Sequence, residues 1–155
     1  MPKKEKKPSK GYMFLQDSRF AALAPGYPSP IVFEANGELR VAGCATNYWL
    51  YGKSKNSDYR EAILRAPAFR AVTYFAAEKG MKELKAKTVD DWDEVSEKRF
   101  EKAMRLRFEQ HEGLRRLLLS WNPKNDLVED KYARENEPDV IKTLKRLRIE
   151  FKDAA

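Results

Sequence analysis

The sequence is poor in the residues that build disulfide frameworks and zinc sites. Its single cysteine, Cys44, cannot form an internal disulfide, and its single histidine, His111, leaves no conventional set of zinc ligands. Phosphate loops of the G-x-x-x-x-G-K-[ST] type, G-x-G-x-x-G fingerprints and G-x-S-x-G nucleophile elbows are also missing. We therefore expect no metal and no cofactor, and any chemistry to depend on carboxylates, aromatic rings and cations.

Long hydrophobic runs are missing as well. No apolar stretch approaches the ~18 residues that a membrane-spanning helix needs, and the charged N-terminus has no apolar stretch behind it. These absences predict a cytoplasmic protein without a membrane partner. The 155 residues fit one domain, and 42% hydrophobic residues with 12% aromatic residues supply enough material for a core.

The net charge of +7 is concentrated at one end of the chain. Residues 1–10 contain five lysines against one glutamate, which amounts to +4 and leaves +3 for the remainder. With Pro2 and Pro8, this composition predicts a disordered basic tail over residues 1–11 and a single domain over residues 12–155. A basic tail adds salt-sensitive affinity for nucleic acid, which is therefore one candidate partner.

Local signals predict an α+β fold in which helices predominate. Asn36-Gly37 separates two β-rich runs within Ile31–Val41, which is the pattern of a tight N-terminal β-hairpin. About six helices pack with it, and Ser57 and Thr88 are the predicted caps of the second and fourth. The predicted helices are Ala45–Lys55, Asp58–Arg65, Pro67–Lys79, Val89–Gln110, Leu114–Leu119 and a last one that Pro138 opens.

An ordered set of motifs runs through most of the chain. Ala45–Lys53 reads A-T-N-Y-W-L-Y-G-K, which is similar to the pattern V-E-H-x-Y-Q-x-x-K. Trp92–Phe108 and Leu114–Leu119 resemble the pattern W-x-x-V…M…K-F…L-L, and Leu147-Arg148 resembles a closing L-M-x-x-R. Over roughly Arg19 to Arg148, the chain therefore resembles the NADAR (YbiA-like) N-glycosidase family, which implies the same helix-dominated α+β fold.

The resemblance implies a reaction and a class of ligand. Members of that family hydrolyse N-glycosidic bonds of ribosyl compounds, including phosphorylated riboflavin-pathway intermediates and ADP-ribose attached to guanine. Cleavage leaves an oxocarbenium-like ribose that a carboxylate stabilises, and the departing base needs a proton or a hydrogen bond. Aromatic rings stack on the base, and lysine or arginine holds phosphate. The implied partner is a ribosyl nucleotide or an ADP-ribose-like ligand.

The resemblance also suggests binding residues and shows departures from the family, among them Phe100 and Arg107 at the positions of the M and K in the pattern W-x-x-V…M…K-F…L-L. The candidate ligand-binding residues are Tyr48, Trp49, Lys53, Arg107, Phe108, Glu129 and Arg148. At the position of the glutamate in V-E-H the chain has Thr46, and threonine cannot act as a carboxylate base. The family's D-x-x-W-G segment is also missing after Glu129. A catalytic carboxylate therefore has to come from elsewhere in the chain.

Three functions remain open at this point. In a divergent N-glycosidase, Asp91 or Glu94 replaces the missing glutamate beside Trp92, with Asp130 behind them, and Glu61 is a further candidate for this carboxylate. A catalytically inactive family member instead binds or sequesters a nucleotide or ADP-ribose-like ligand. A nucleic-acid-associated protein uses the basic tail together with arginines such as Arg105, Arg115 and Arg116.

Overall fold

The computed structural model describes residues 6–68 and 70–154, apart from the side chains of residues 70–76. The chain forms two compact units. Pro25–Glu112 make up the central unit, and the segments up to Ala24 and from Gly113 onwards make up the terminal unit. The single domain over residues 12–155 and the disordered tail stay predictions. Residues 1–5 of that tail lie outside the described residues.

The fold is α+β with helices predominating, as predicted. Six α-helices and four short strands occur in the described residues, together with two single-turn 3-10 helices near the N-terminus. In chain order the elements are β1 (Met13–Phe14), β2 (Ile31–Ala35), β3 (Glu38–Ala42), α1 (Ala45–Tyr51), α2 (Ser57–Arg65), α3 (Arg70–Glu83), α4 (Trp92–Gln110), α5 (Glu112–Ser120), β4 (Val128–Glu129) and α6 (Val140–Asp153). None of the helices in the described part of the chain combines the length and the apolar character that crossing a membrane needs.

The β2–β3 hairpin follows from the conformation of its turn. Asn36 (φ 53°) and Gly37 (φ 79°) both have positive φ, which is the requirement of a two-residue Asn-Gly turn. The strands pair antiparallel, with Ile31 opposite Ala42, and both of these residues are fully buried in the central unit. The predicted hairpin is therefore confirmed.

No sequence pattern predicts the second pair of strands, which belongs to the terminal unit. β1 pairs in parallel with β4, with Met13 opposite Val128 and Phe14 opposite Glu129. Strands of two residues are too short to show the alternation of apolar and polar side chains that marks a strand. Only the tertiary structure shows that these two segments pair.

The cap of α2 differs from the prediction by one residue. Asn56, and not Ser57, precedes the helix, and its side-chain oxygen accepts a hydrogen bond from the main-chain N–H of Tyr59 at 2.8 Å. Asparagine and serine are about equally good N-caps, so the choice between neighbours depends on where the preceding segment enters the helix.

The core of the central unit is built around α1. All seven residues of this helix are buried, and it packs against α2, α3, α4 and β3. A helix that is buried on every side has no solvent-facing stripe, which fits the largely apolar run from Tyr48 to Tyr51. The other buried apolar residues of this unit include Ile31, Ala42, Cys44, Tyr59, Ile63, Ala77, Phe100, Ala103, Met104 and Phe108.

Candidate ligand-binding site

The two tryptophans that sequence reasoning nominated pack together in the central unit. The ring centres of Trp49 on α1 and Trp92 on α4 lie 5.8 Å apart, with an angle of 33° between their planes. Phe100 meets Trp49 edge to face at 5.9 Å. The indole N–H of Trp49 donates to the main-chain and side-chain oxygens of Ser96, both at 3.1 Å. Trp49 is buried, whereas Trp92 is partly exposed, so only the second ring is accessible to a ligand.

A main-chain pairing places Trp92 beside α1. The N–H of Val89 donates to the carbonyl oxygen of Lys53 at 2.9 Å, and Ser54 forms an isolated antiparallel bridge with Thr88. These contacts hold the segment before α4 against the segment after α1. For this reason the helix begins at Trp92 and not directly after Thr88, and the predicted cap at Thr88 is wrong. Lys53, a predicted binding residue, is partly exposed at this junction.

Asp91 and Glu94, the predicted catalytic carboxylates, are exposed at the start of α4. The main-chain oxygen of Asp91 accepts hydrogen bonds from the N–H groups of Glu94 at 2.9 Å and Val95 at 3.0 Å. Negative side chains here benefit from the partial positive charge of the helix N-terminus. Asp91 also borders an open cleft of about 360 Å³, whose other lining residues are Lys55, Lys87, Thr88, Val89 and Asp90.

Tyr48 is buried against two groups that sequence reasoning missed. Its ring meets Phe33 edge to face at 5.1 Å, and the guanidinium carbon of Arg99 lies 4.3 Å from the ring centre. Arg99 also donates hydrogen bonds to the carbonyl oxygens of Tyr48 and Trp49, at the C-terminal end of α1. A sequence signal for this role exists, because Arg99 follows Trp92 by two helical turns and so lies on the same face of α4.

A buried polar network occupies the N-terminal end of α1. The Cys44 thiol donates to the side-chain oxygen of Asn47 at 2.9 Å, and the Asn47 amide donates to the carbonyl oxygens of Ile63 and Ala66. Burial raises the pKa of the Cys44 thiol, although hydrogen bonding to Asn47 and Thr46 opposes the shift, so the thiol stays protonated near neutral pH. Thr46, at the position of the family's glutamate, is also buried at this end of α1.

Arg107 and Phe108 are both fully buried on α4. The guanidinium carbon of Arg107 lies 4.8 Å from the centre of the Phe108 ring. Burial lowers the pKa of Arg107 to about 10, while the electrostatic influence of Cys44 acts in the opposite direction. The side chain therefore stays charged at neutral pH without exposure to solvent, and its role in ligand binding stays a prediction.

Replacing Arg107 with methionine is expected to remove part of the rise in stability with pH. Folding lowers the pKa of Arg107 to about 10, below its value in the unfolded chain, so above pH ~10 the unfolded chain binds this proton more tightly. Burial of the charge therefore lowers the free energy of unfolding most strongly below pH ~10. This penalty shrinks at higher pH, by about 1 kcal/mol between pH ~9 and ~11. Urea unfolding of both proteins at these two pH values measures the difference. If the free energy of unfolding depended on pH in the same way in both proteins, the lowered pKa of Arg107 would be contradicted.

Two further predicted binding residues belong to the terminal unit, where both contact the main chain. Oε1 of Glu129 accepts a hydrogen bond from the N–H of Ser9 at 2.6 Å. Nε of Arg148 donates to the carbonyl oxygen of Trp121 at 2.6 Å. These contacts give both side chains a structural role within their own unit. Among the described residues, no group of three or more His, Cys, Asp or Glu side chains is arranged to hold a metal ion.

The architecture defines a class of protein: an α+β domain in which a buried short helix, α1, packs against a long one, α4. The structure is similar to the NMR structure of the Escherichia coli protein YbiA, with a TM-score of 0.63 and 22% sequence identity. The alignment covers 92% of this chain and 84% of that chain, so this protein has the YbiA fold. No protein-family model matches the chain, and no curated protein sequence does either.

Proposed function

We propose that this protein binds a ribosyl nucleotide or an ADP-ribose-like ligand, with the ring of Trp92 stacking on the base. The observation that carries the proposal is the packing of Trp92 on Trp49, whose rings lie 5.8 Å apart. Because Trp49 is buried and hydrogen-bonded to Ser96, it is a fixed surface against which the partly exposed Trp92 packs. Aromatic side chains stack on any base and contribute about 1–3 kcal/mol for each one.

The positions of the carboxylates favour ligand binding without catalytic turnover. The family's glutamate is replaced by Thr46, which is only 3% exposed and has no acidic group. Asp91 and Glu94 are exposed, whereas electrostatic stabilisation of a cationic transition state is strongest where water is excluded. The YbiA fold adds support for the ligand class, because the chain also carries the ordered NADAR-like motifs.

Hydrolysis of an N-glycosidic bond is the second candidate, and one observation favours it. Asp91 borders the cleft that Lys55 and Lys87 also line, and it directly precedes Trp92. In the corresponding reaction, water adds to C1′ of the ribose and the C1′–N bond breaks. Asp91 or Glu94 accepts the proton of the water, and the base leaves with a proton in return.

Calorimetric titration with ADP-ribose and NAD tests the binding proposal. Trp92→Ala is expected to raise the Kd by about tenfold or more, because the stacking energy is lost. Trp92→Phe keeps a ring and is expected to retain most of the affinity. Tyr27→Ala is the matched control, since Tyr27 is an exposed aromatic residue of the same unit, at 45% exposure, and its loss is expected to leave the Kd unchanged.

Mass spectrometry of the same samples separates binding from hydrolysis. Saturable heat without a released base is the expected result. Base release that disappears in Asp91→Asn or in Glu94→Gln would establish hydrolysis instead. Neither heat nor product, or equal losses of affinity in Trp92→Ala and Tyr27→Ala, would reject the nucleotide proposal.

A further inference from the structure

Two guanidinium groups lie against one tyrosine ring in the central unit. The guanidinium carbon of Arg60 lies 4.7 Å from the centre of the Tyr51 ring, and that of Arg99 lies 5.9 Å from it. Both arginine residues are partly exposed, whereas Tyr51 is buried. We call these three residues the Tyr51–arginine cluster.

Neutral acceptors hold both arginines of the cluster in place. Nε of Arg60 donates to the carbonyl oxygen of Ser54 at 2.8 Å. Nε and Nη2 of Arg99 donate to the carbonyl oxygen of Tyr48 at 3.1 and 2.7 Å, and Nε also reaches that of Trp49 at 3.2 Å. Main-chain carbonyl groups carry no net charge. They orient the guanidinium groups without neutralising them.

No carboxylate of the described residues forms an ion pair with the cluster. Salt bridges with N–O distances up to 4.0 Å occur elsewhere in the described chain, but neither Arg60 nor Arg99 takes part in one. The contrast is Arg40 in the same unit, which pairs with Glu61. Those two charges cancel, and two positive charges remain on the cluster.

The arrangement is electrostatically costly for the charged form of Arg99. Burial lowers the pKa of Arg99, the Tyr48 ring opposes this shift, and the positive charge of Arg60 lowers the pKa further. Both burial and like charge disfavour the charged guanidinium, and a bound anion offsets both. The Nη groups of Arg60 and Nη1 of Arg99 donate no hydrogen bond to any described residue, so their N–H groups can meet oxygen atoms of a ligand.

We propose that the Tyr51–arginine cluster binds a phosphate or pyrophosphate group. The two Nη groups of Arg60 form a planar fork that bonds two oxygens at once, and Nη1 of Arg99 adds a further donor, which matches the several oxygens of such an anion. The inference rests on the proposed function for the rest of the ligand, and it assigns the phosphate groups of that ligand to the Tyr51–arginine cluster.

Calorimetric titration of the full-length protein with inorganic pyrophosphate tests the site. The unmodified protein is expected to bind saturably, and Arg60→Gln is expected to weaken the affinity about tenfold or more. Arg60→Lys keeps the charge but loses the fork, so an intermediate affinity is expected. Arg105→Gln on α4 is the matched control, because Arg105 pairs with Glu101, and its change is expected to stay below about twofold.

A parallel titration with ADP-ribose separates this site from the proposed function. If ADP-ribose binds the unmodified protein and Arg60→Gln equally well, the anion site is overturned while the nucleotide proposal stands. If pyrophosphate binds through Arg60 but ADP-ribose binds no tighter than pyrophosphate, the anion site stands and the nucleotide proposal fails. Absence of pyrophosphate binding, or equal losses in Arg60→Gln and Arg105→Gln at unchanged melting temperatures, overturns the anion site.

Discussion

Replacing Asn47 with alanine is expected to lower the free energy of unfolding by about 2–4 kcal/mol. The amide of this fully buried side chain donates to the carbonyl oxygens of Ile63 at 2.9 Å and Ala66 at 3.1 Å, at the end of α2. Alanine leaves these carbonyl groups without that donor and also removes the acceptor of the Cys44 thiol. Urea denaturation measures the loss as a lower midpoint at an unchanged m value.

Two further substitutions sharpen this test. Asn47→Asp has the same shape but cannot donate, so it is expected to be at least as destabilising as alanine. Asn125→Ala is the matched control, because Asn125 is exposed and its substitution is expected to change stability by less than about 0.5 kcal/mol. If Asn47→Ala lowers the free energy of unfolding no more than the control does, the hydrogen bonds of Asn47 do not contribute to stability.

Gly52→Ala is expected to destabilise the central unit by about 2–3 kcal/mol through the displacement of Arg99. A Cβ at residue 52 would lie 2.1 Å from Nε and 2.3 Å from Cδ of Arg99, so the arginine side chain has to leave its place. It then loses its hydrogen bonds to the carbonyl oxygens of Tyr48 and Trp49. The backbone at Gly52, with φ −79° and ψ −7°, suits alanine, and backbone strain therefore does not contribute.

A double-mutant cycle isolates this effect. In an Arg99→Ala background the new methyl group meets no guanidinium, so Gly52→Ala is expected to cost almost nothing there. Gly113→Ala is the control, since a Cβ at that helical position meets no atom within 4 Å and is expected to leave stability unchanged or raise it. Equal costs of Gly52→Ala in both backgrounds would contradict the contact with Arg99. The same variant is expected to weaken pyrophosphate binding, because it displaces one arginine of the cluster.

Local chemistry explains the parts of the fold that sequence reasoning predicted. Asn36-Gly37 tolerates positive φ at two successive residues, so the hairpin follows from the turn alone. Periodic apolar residues explain α2, α5 and α6, and breakers such as Pro138 explain where helices are separated. The limits of helices are harder to predict, since α4 begins where the pairing of Lys53 with Val89 ends, and that contact joins distant parts of the chain.

In the candidate site, too, the sequence indicates the types of residue, and only the structure shows where their side chains lie. The motifs nominated Trp49 and Trp92 as rings, but only the structure shows that one is buried and supports the other. Arg107 was nominated as a cation for a ligand, and it is fully buried. Arg60 and Arg99 belong to no motif, yet they are the pair that lies unneutralised beside Tyr51. Sequence spacing identifies which side chains share a helix face, and it does not identify what packs against that face.

The sequence by itself determined the helix-dominated α+β class, the hairpin turn, the absence of the glutamate at position 46 and the concentration of charge in the first ten residues. These properties depend on residue type and on neighbours along the chain. Only the tertiary structure decided the parallel pairing of β1 with β4, the packing of the two tryptophans and the exposure of each cation. Such properties depend on contacts between residues that are distant in the chain, and those contacts form only when the whole core packs.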